Sequence, residues 1–514
     1  MGKILPSYKL SVIKEITDNI TSNSSHYYLY ASNPIASQQL VEVANNDLDI
    51  YFNTIWYMMF GKKITSKDIY PVIDKNIWST NTTYSMYDQT SNTLHSNNNF
   101  YVISEPSEIG GVYNIYKCID NANNAKSIYD PGSIGTPTQI TTFQTADNYK
   151  WKYITTISAS VWDRFNTGEY APIYANSLLQ ASAQTYSGVE VIMISNGGIN
   201  YEAYTNGVVQ SLSNSTLINI SNTASSDNFK YNNNSIYIYS LSTGASQLKT
   251  ISNYIANVSG KWVYLSEPAN TDIIVPGETL YKISPSVIFN TDGDNHPVAY
   301  SVVNTSTNSI SSIVILDAGT NISRANVSIN STYGSGANLY CIVPPPGGHG
   351  AEPARELNVE GMCISINFSN NESNTITTSN TIYNKIGIIK NPYQMYANTA
   401  KGSRYSNTTF NQLLKANVGI SHNFSVGDTV IGESSGAKGV VALANATVIY
   451  LTGDKFFSNN EYIGNSSVSN VTTITINSLG NIFPNDLTPL YIQNINNIYR
   501  NDTTTESFKI IIKI

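Results

Sequence analysis

Two strand signals built from aromatic residues, Val112 to Ile119 and Tyr149 to Ile157, constrain this 514-residue chain more than any other feature. In the first, Val112, Asn114, Tyr116 and Cys118 alternate with Tyr113, Ile115, Lys117 and Ile119; in the second, Tyr149, Trp151, Tyr153, Thr155 and Ile157 share one face. Successive side chains of a strand point to opposite faces, so this spacing predicts two half-buried strands. The connection between them is polar and turn-forming, and nothing from Phe100 to Ser158 is arranged as a nucleophile, metal ligand or base. The stretch reads as a fixed structural module.

Elsewhere the signals are weaker. Asp47 to Phe60 predicts a helix, with Leu48, Tyr51 or Phe52, Ile55 and Met58 or Met59 at helical spacing, Asn46 as its cap, Gly61 ending it in a left-handed turn, and Lys62 and Lys63 complementing its negative end. A helix apolar over so much of its surface belongs in a core. After residue 100, short strands separated by Asn, Gly, Ser and Thr turns dominate, the pattern of sandwiches and small barrels. Val191 to Val208 and Ile313 to Ile329 form a weak internal repeat. Each has an alternating strand, a Gly turn at Gly197-Gly198 or Gly319, an Asn two residues after that Gly (Asn200, Asn321), and a second strand signal, which together predict a hairpin. Asp292-Gly293-Asp294 to Val303 and Tyr333 to Val343 add Gly-rich turns that lead into strands. Phe424 to Leu443 and Gly453 to Ile463 read as a chain of short hairpins.

Composition narrows the function. Only 12% of residues are charged, against about 25% in ordinary soluble domains, and there are 37 Tyr. Permanent interfaces have this character, because they deplete charge and enrich Tyr. An AT-rich genome, whose codons favour Asn, Ile and Tyr, produces the same bias, so composition leaves both explanations open. The net charge of −7, from 28 basic and 35 acidic residues, argues against a nucleic-acid partner, which needs a basic face. Cys118, Cys341 and Cys363 lie too far apart for a C-x-x-C site and predict buried thiols rather than a disulfide framework. The segment after Met1, GKILPSYKLSVIKEI, has its apolar run broken by Pro6, Lys9 and Lys14 and predicts no secretory signal. Pro6 also argues against myristoylation of Gly2. The apolar stretch Ile50 to Phe60 is shorter than the roughly 20 residues a membrane helix needs. These features predict a cytoplasmic product that joins something larger, with no membrane insertion.

Candidate chemistry is sparse. Gly432-Glu433-Ser434-Ser435-Gly436 matches the G-x-S-x-G nucleophile elbow in letters, but that motif needs a helix after it, and Ala437-Lys438-Gly439-Val440-Val441 reads as another turn and strand. His349, in Pro344-Pro345-Pro346-Gly347-Gly348-His349-Gly350 with Glu352 and Glu356 behind it, has the donors of a metal site but not the regular element that fixes ligand spacing. Asn290, Asp292, Asp294 and Asn295 suggest a calcium loop without its closing Glu. The histidines at 26, 95, 296, 349 and 422 are scattered, no phosphate-binding Gly motif stands between strand and helix, and a distant carboxylate pair leaves no spacing to read. The Asn-x-Ser/Thr triplets follow from composition. No catalytic, cofactor-binding or metal residue is nominated, and no cofactor is implied.

The order YNxYKCxDN, P-G, then TADxYxWKY between Tyr113 and Tyr153 resembles the baseplate wedge proteins of T4-like contractile-tailed phages, specifically the dimer-forming outer wedge subunit. The likeness extends upstream through Trp56, Met58, Met59, Gly61, Lys62, Lys63, Ile64 and Thr65, then Asp68 to Trp78, ending at Tyr84 and Tyr87-Asp88. Downstream it covers Gly347 to Val359, Lys385 to Pro392 and Thr505 to Ile514, in the same order. Residues 205–285 and 400–485 match nothing in it. The resemblance implies a mostly β, α+β fold: a discontinuous platform from N- and C-terminal parts interrupted by β-sandwich or β-barrel modules. The expected parts are 1–97 (platform), 98–178 (aromatic β-module), 179–346 (duplicated β-modules), 347–398 (return to the platform), 399–485 (β-hairpin module) and 486–514 (a C-terminal strand completing the platform). It also implies a non-enzymatic virion protein of the tail baseplate, a homodimer that binds other wedge proteins and takes part in the rearrangement that triggers sheath contraction. The competing readings are a receptor- or glycan-binding tail protein, recognising its target through the two unmatched regions, and a tail-associated hydrolase using Ser434.

Overall fold

A computed structural model describes residues 4–22, 24–33, 52, 55–91, 93–134, 138, 141–185, 187–202, 205–369, 372, 381–419, 422–465, 468–484, 486–501 and 503–514. The fold is α+β and mostly β, with 47% strand against 10% helix, so sheet topology decides where everything else sits. The chain divides into two compact units, Met1–Val72 with Glu360–Ile514, and Ile73–Val359. Among the described residues no helix is long and apolar enough to cross a membrane.

The first unit is built from both ends of the chain. A five-stranded antiparallel sheet runs in the order Thr409–Asn411, Met58–Lys63, Tyr27–Ser32, Thr381–Lys390, Thr488–Arg500. Glu506–Lys513 pairs along its length with Gly361–Phe368, which also pairs with Ile69–Asp74. The helix Pro6–Thr21 buries Leu10, Ile13 and Ile20, and Lys9 reaches Glu360 at 3.1 Å. Sequence reading missed this helix, although Pro at its first turn and those three residues at helical spacing announce it. A separate seven-stranded sheet, Leu414–Asn417 to Thr475–Ser478, has its own core of Leu414, Val430, Val441, Ile449, Leu451 and Ile463.

The helix expected to run to Phe60 is corrected here. Phe52 and residues 55–57 are helical, but Met58–Lys63 is a strand paired with Tyr27–Ser32; the cap at Asn46 and residues 47–51 lie outside the described residues. Gly61 is not a left-handed terminator. It sits mid-strand because any Cβ there would run into the Phe410 ring and stand 2.7 Å from the Leu29 carbonyl.

In the second unit the aromatic strands Tyr113–Asp120 and Lys150–Ile157 are central in a sheet flanked by Tyr101–Ser104 and Phe143–Gln144. They are buried on both faces rather than half-buried. One face joins Tyr116, Cys118, Tyr149, Trp151 and Tyr153 in a single cluster, and Tyr149 stacks on Trp151 at 5.4 Å. A closed six-stranded barrel spans Asn206–Asn214 to Leu280–Ser284, filled by residues such as Ile218, Ile236, Ile251, Tyr254 and Tyr281. After it comes a four-stranded sheet, in the order Ser309–Asp317, Val298–Asn304, Ser286–Thr291, Ala325–Asn330, and Val191–Ile199, ahead of the barrel, pairs with Ser335–Ile342 beyond that sheet.

The repeat segments are not hairpins. Val191–Ile199 pairs with Ser335–Ile342, while Ser309–Asp317 and Ala325–Asn330 pair with Val298–Asn304 and Ser286–Thr291 respectively. What repeats is the local backbone: Gly198 and Gly319 have φ of 68° and 75°, and Asn200 and Asn321 have φ of 59° and 55°. The shared letters encode a left-handed kink, and the pairing partners come from elsewhere in the chain. From Thr429 to Gly453, by contrast, successive strands do pair with their neighbours.

Candidate functional site

The most concentrated chemistry among the described residues is buried on the other face of the aromatic sheet. Lys117 and Lys152 point there from the two central strands. They meet Glu190, just ahead of Val191–Ile199, and His349 and Glu356, from the loop and short helix that follow Pro344-Pro345-Pro346. Gly347, Gly348 and Gly350 all have φ between 79° and 89°, a region that only glycine occupies cheaply, and this tight turn carries His349 inward. Lys117 Nζ lies 2.9 Å from Glu356 Oε1 and 3.4 Å from the centre of the Tyr87 ring. Lys152 Nζ is 3.4 Å from Glu190 Oε1. His349 Nδ1 contacts Glu356 Oε1, and its Nε2 stands 3.3 Å from Glu190 Oε2, near enough for charge attraction but not aligned as a hydrogen bond. The Gly350 amide donates to Glu356 Oε2 at 2.8 Å, and Thr142 Oγ1 donates to Glu190 at 3.3 Å.

All five side chains are at most 5% exposed. Taking ions out of water costs several kcal/mol each, repaid only when geometry is good and the remaining lone pairs are satisfied. The electrostatics follow that balance. Burial pushes the Glu190 carboxyl up, but His349, Lys152 and Lys117 outweigh it and bring it down to about 2. Burial likewise opposes the Glu356 carboxylate, and Lys117, His349 and the Gly350 amide hold it well below the usual range. Burial lowers the Lys117 ammonium, partly offset by Glu356 and Glu190, and raises the Tyr87 hydroxyl, helped by the same two carboxylates. The carboxylates are thus answered by ammonium groups. A general acid or base must reach a substrate, and of the five side chains Glu190 is the one that lines the cleft of about 1020 Å3 between Val191–Ile194 and Ser311–Ile315. What the cluster does chemically is hold together four segments that lie far apart in sequence.

Residues weighed from sequence fall elsewhere or in other company. His349 meets Glu356 but not Glu352, which pairs with Arg355; Lys117, Lys152 and Glu190 were not foreseen as its neighbours. No group of three or more His, Cys, Asp or Glu side chains suited to a metal ion occurs among the described residues. Ser434 lies in a hairpin turn between Thr429–Gly432 and Lys438–Ala444, where Ser434 and Ser435 give backbone and hydroxyl donors to Glu461. Burial opposes the charge on Glu461, and those donors with the Ser458 amide hold its carboxyl down. Asp292 accepts from the Ser323 hydroxyl and from the Ser323 and Arg324 amides, which bring it to about 2, and Asp294 accepts from Asn321. The acidic loop is therefore a clasp onto residues 321–324. The three cysteines are buried and unbridged, with Cys341 pushed up to about 12 by burial.

No protein-family model matches this chain, and no curated protein matches it in sequence.

Proposed function

We propose that this chain is a non-enzymatic structural virion protein, a subunit of the baseplate wedge of a contractile phage tail. In this reading it forms a homodimer, bridges neighbouring wedge subunits and takes part in the rearrangement that triggers sheath contraction. One observation carries the reading. Lys117, Lys152, His349 and Glu356 belong to three of the separated blocks that resemble the wedge family, and they converge in one buried cluster. Blocks chosen by likeness alone have no reason to meet in space unless they form one framework. In the first unit, the blocks at Lys385 to Pro392 and Thr505 to Ile514 contribute the strands Thr381–Lys390 and Glu506–Lys513. The unmatched regions hold the closed barrel and the whole seven-stranded sheet. Packed modules of this kind switch at their interfaces rather than stretch.

The test is mass photometry of the purified chain, alone and mixed with the other tail proteins of the same virus. A dimer that enters a defined complex is expected; a monomer that binds none of them would overturn the reading. One feature favours a second reading, a glycan- or receptor-binding tail protein. Tyr237 and Tyr239, on the outer face of the barrel, stack with each other at 5.2 Å, and Tyr237 stacks on Tyr300 at 5.0 Å. Such rings offer sugars an apolar platform. A glycan-array signal abolished by Tyr237→Ala and Tyr239→Ala would move the assignment there.

A further inference from the structure

Lys385 and Lys455 are buried cations with no carboxylate within ion-pair distance among the described residues, and Lys455 is the deeper of the two, at 2% against 8% exposed. Lys117, Lys152 and Arg500 each face a carboxylate, Glu356, Glu190 and Glu506. Lys455 is 2% exposed, yet among the described residues its ammonium makes one hydrogen bond, 3.5 Å from the Leu451 carbonyl, beyond the usual range for such bonds. The adjacent Asp454 accepts from the Lys438 amide at 2.9 Å and makes no ion pair with Lys455 among the described residues. Burial dominates, and the amine is pushed down to about 7 in spite of the Asp454 charge.

This side chain lines a cavity of about 440 Å3 beside the seven-stranded sheet. Phe457, Ile476 and Leu479 supply apolar wall, and Asn459 and Asn477 supply polar edge. Tyr396 is the other titratable residue among the described residues of the lining. A buried ammonium with a single long hydrogen bond leaves its other donors unsatisfied, a cost that an incoming ligand can recover. Among the described residues the lining offers one cation and no arginine. That suits a single negative charge on an apolar body rather than a phosphate, which is held by several donors or a bidentate fork.

We propose that this cavity is a carboxylate-binding site, in which a carboxyl group pairs with Lys455 Nζ while its apolar stem lies against Phe457, Ile476 and Leu479. The carboxylate comes either from an acidic side chain of another protein or from a free aliphatic acid. The inference goes beyond the assembly role above and does not rest on it. Binding draws a proton onto Lys455, because an opposite charge favours the charged amine.

The test uses the full chain labelled with 13Cε-lysine, with the Lys455 resonance identified by its loss in Lys455→Met. Hexanoate, and separately a blocked leucine-rich hexapeptide with one central glutamate, are titrated against it, with hexan-1-ol and the glutamine peptide as neutral controls. Saturable movement of the Lys455 resonance, with its titration midpoint raised by about one pH unit or more, is expected from at least one carboxylate probe and from neither control. A response to the peptide alone assigns the source to a protein; a response to hexanoate alone assigns it to a free acid. An unmoved resonance with both carboxylates, or equal movement with the neutral controls, overturns the proposal. The wild-type chain carries the binding measurement, so the outcome does not depend on how well the variant folds.

Discussion

At the scale of single residues, Lys117 is the clearest lever. Removing one partner of a buried ion pair leaves the other uncompensated, so Lys117→Met is expected to cost about 3–5 kcal/mol. The double change Lys117→Met with Glu356→Leu recovers much of that loss. Urea unfolding of the four corners of this cycle measures the coupling, and additive single effects would refute it. Glu190 gives the pH dependence. Its carboxyl falls from the ordinary 4.5 to about 2 on folding. Its stabilisation is therefore complete above the unfolded value and is lost as the pH drops through that window. In Glu190→Gln the decline in stability between those values is expected to be shallower, by up to about 1.4 kcal/mol per pH unit; an unchanged slope would exclude the assignment. Sequence carries half of this site. A lysine inside each of two aromatic strands is a signal that something buried must answer it. The answering acids lie at positions 190 and 356, from 38 to 239 residues away, where no spacing rule reaches.

At the scale of elements, local pattern was informative where neighbours in sequence also pair, as in Thr429–Gly432 with Lys438–Ala444. It misled where they do not. The run Tyr57-Met58-Met59-Phe60 is apolar at every position and satisfies helical and strand periods alike. Pairing of Met58–Lys63 with Tyr27–Ser32, and the Phe410 ring over Gly61, decide for the strand. Gly61→Val therefore overpacks a core position, with an expected loss of about 1–3 kcal/mol and partial rescue by Phe410→Leu. Thermal unfolding of both variants checks this. Indifference to Gly61→Val would restore the helical terminator. The repeats make the same point, since Gly198–Asn200 and Gly319–Asn321 share a kink without sharing partners.

At the scale of the whole molecule, the sequence conveyed the fold class and little of the topology. Short strands with polar turns announce a mostly β chain, but the barrel's order is not sequential: Leu217–Ile220 pairs with Gly260–Leu265, Ser235–Tyr239 pairs with Leu280–Ser284, and Leu280–Ser284 closes the barrel against Asn206–Asn214. Closure depends on partners that alternation cannot name. A closed barrel has no open edge and a core of its own, so residues 205–285 expressed alone are expected to unfold in one cooperative urea transition. At about 80 residues such a domain is of modest stability, and a non-cooperative profile would show that it depends on its surroundings. The barrel's two ends are also paired to each other, with Asn206 opposite Lys282, which places them about 5 Å apart. The chain thus leaves and rejoins its path at nearly one point. That junction is a splice site: a fluorescent protein or affinity handle with closely spaced termini can be grafted in the barrel's place, giving an optical label on the second unit without cutting its framework.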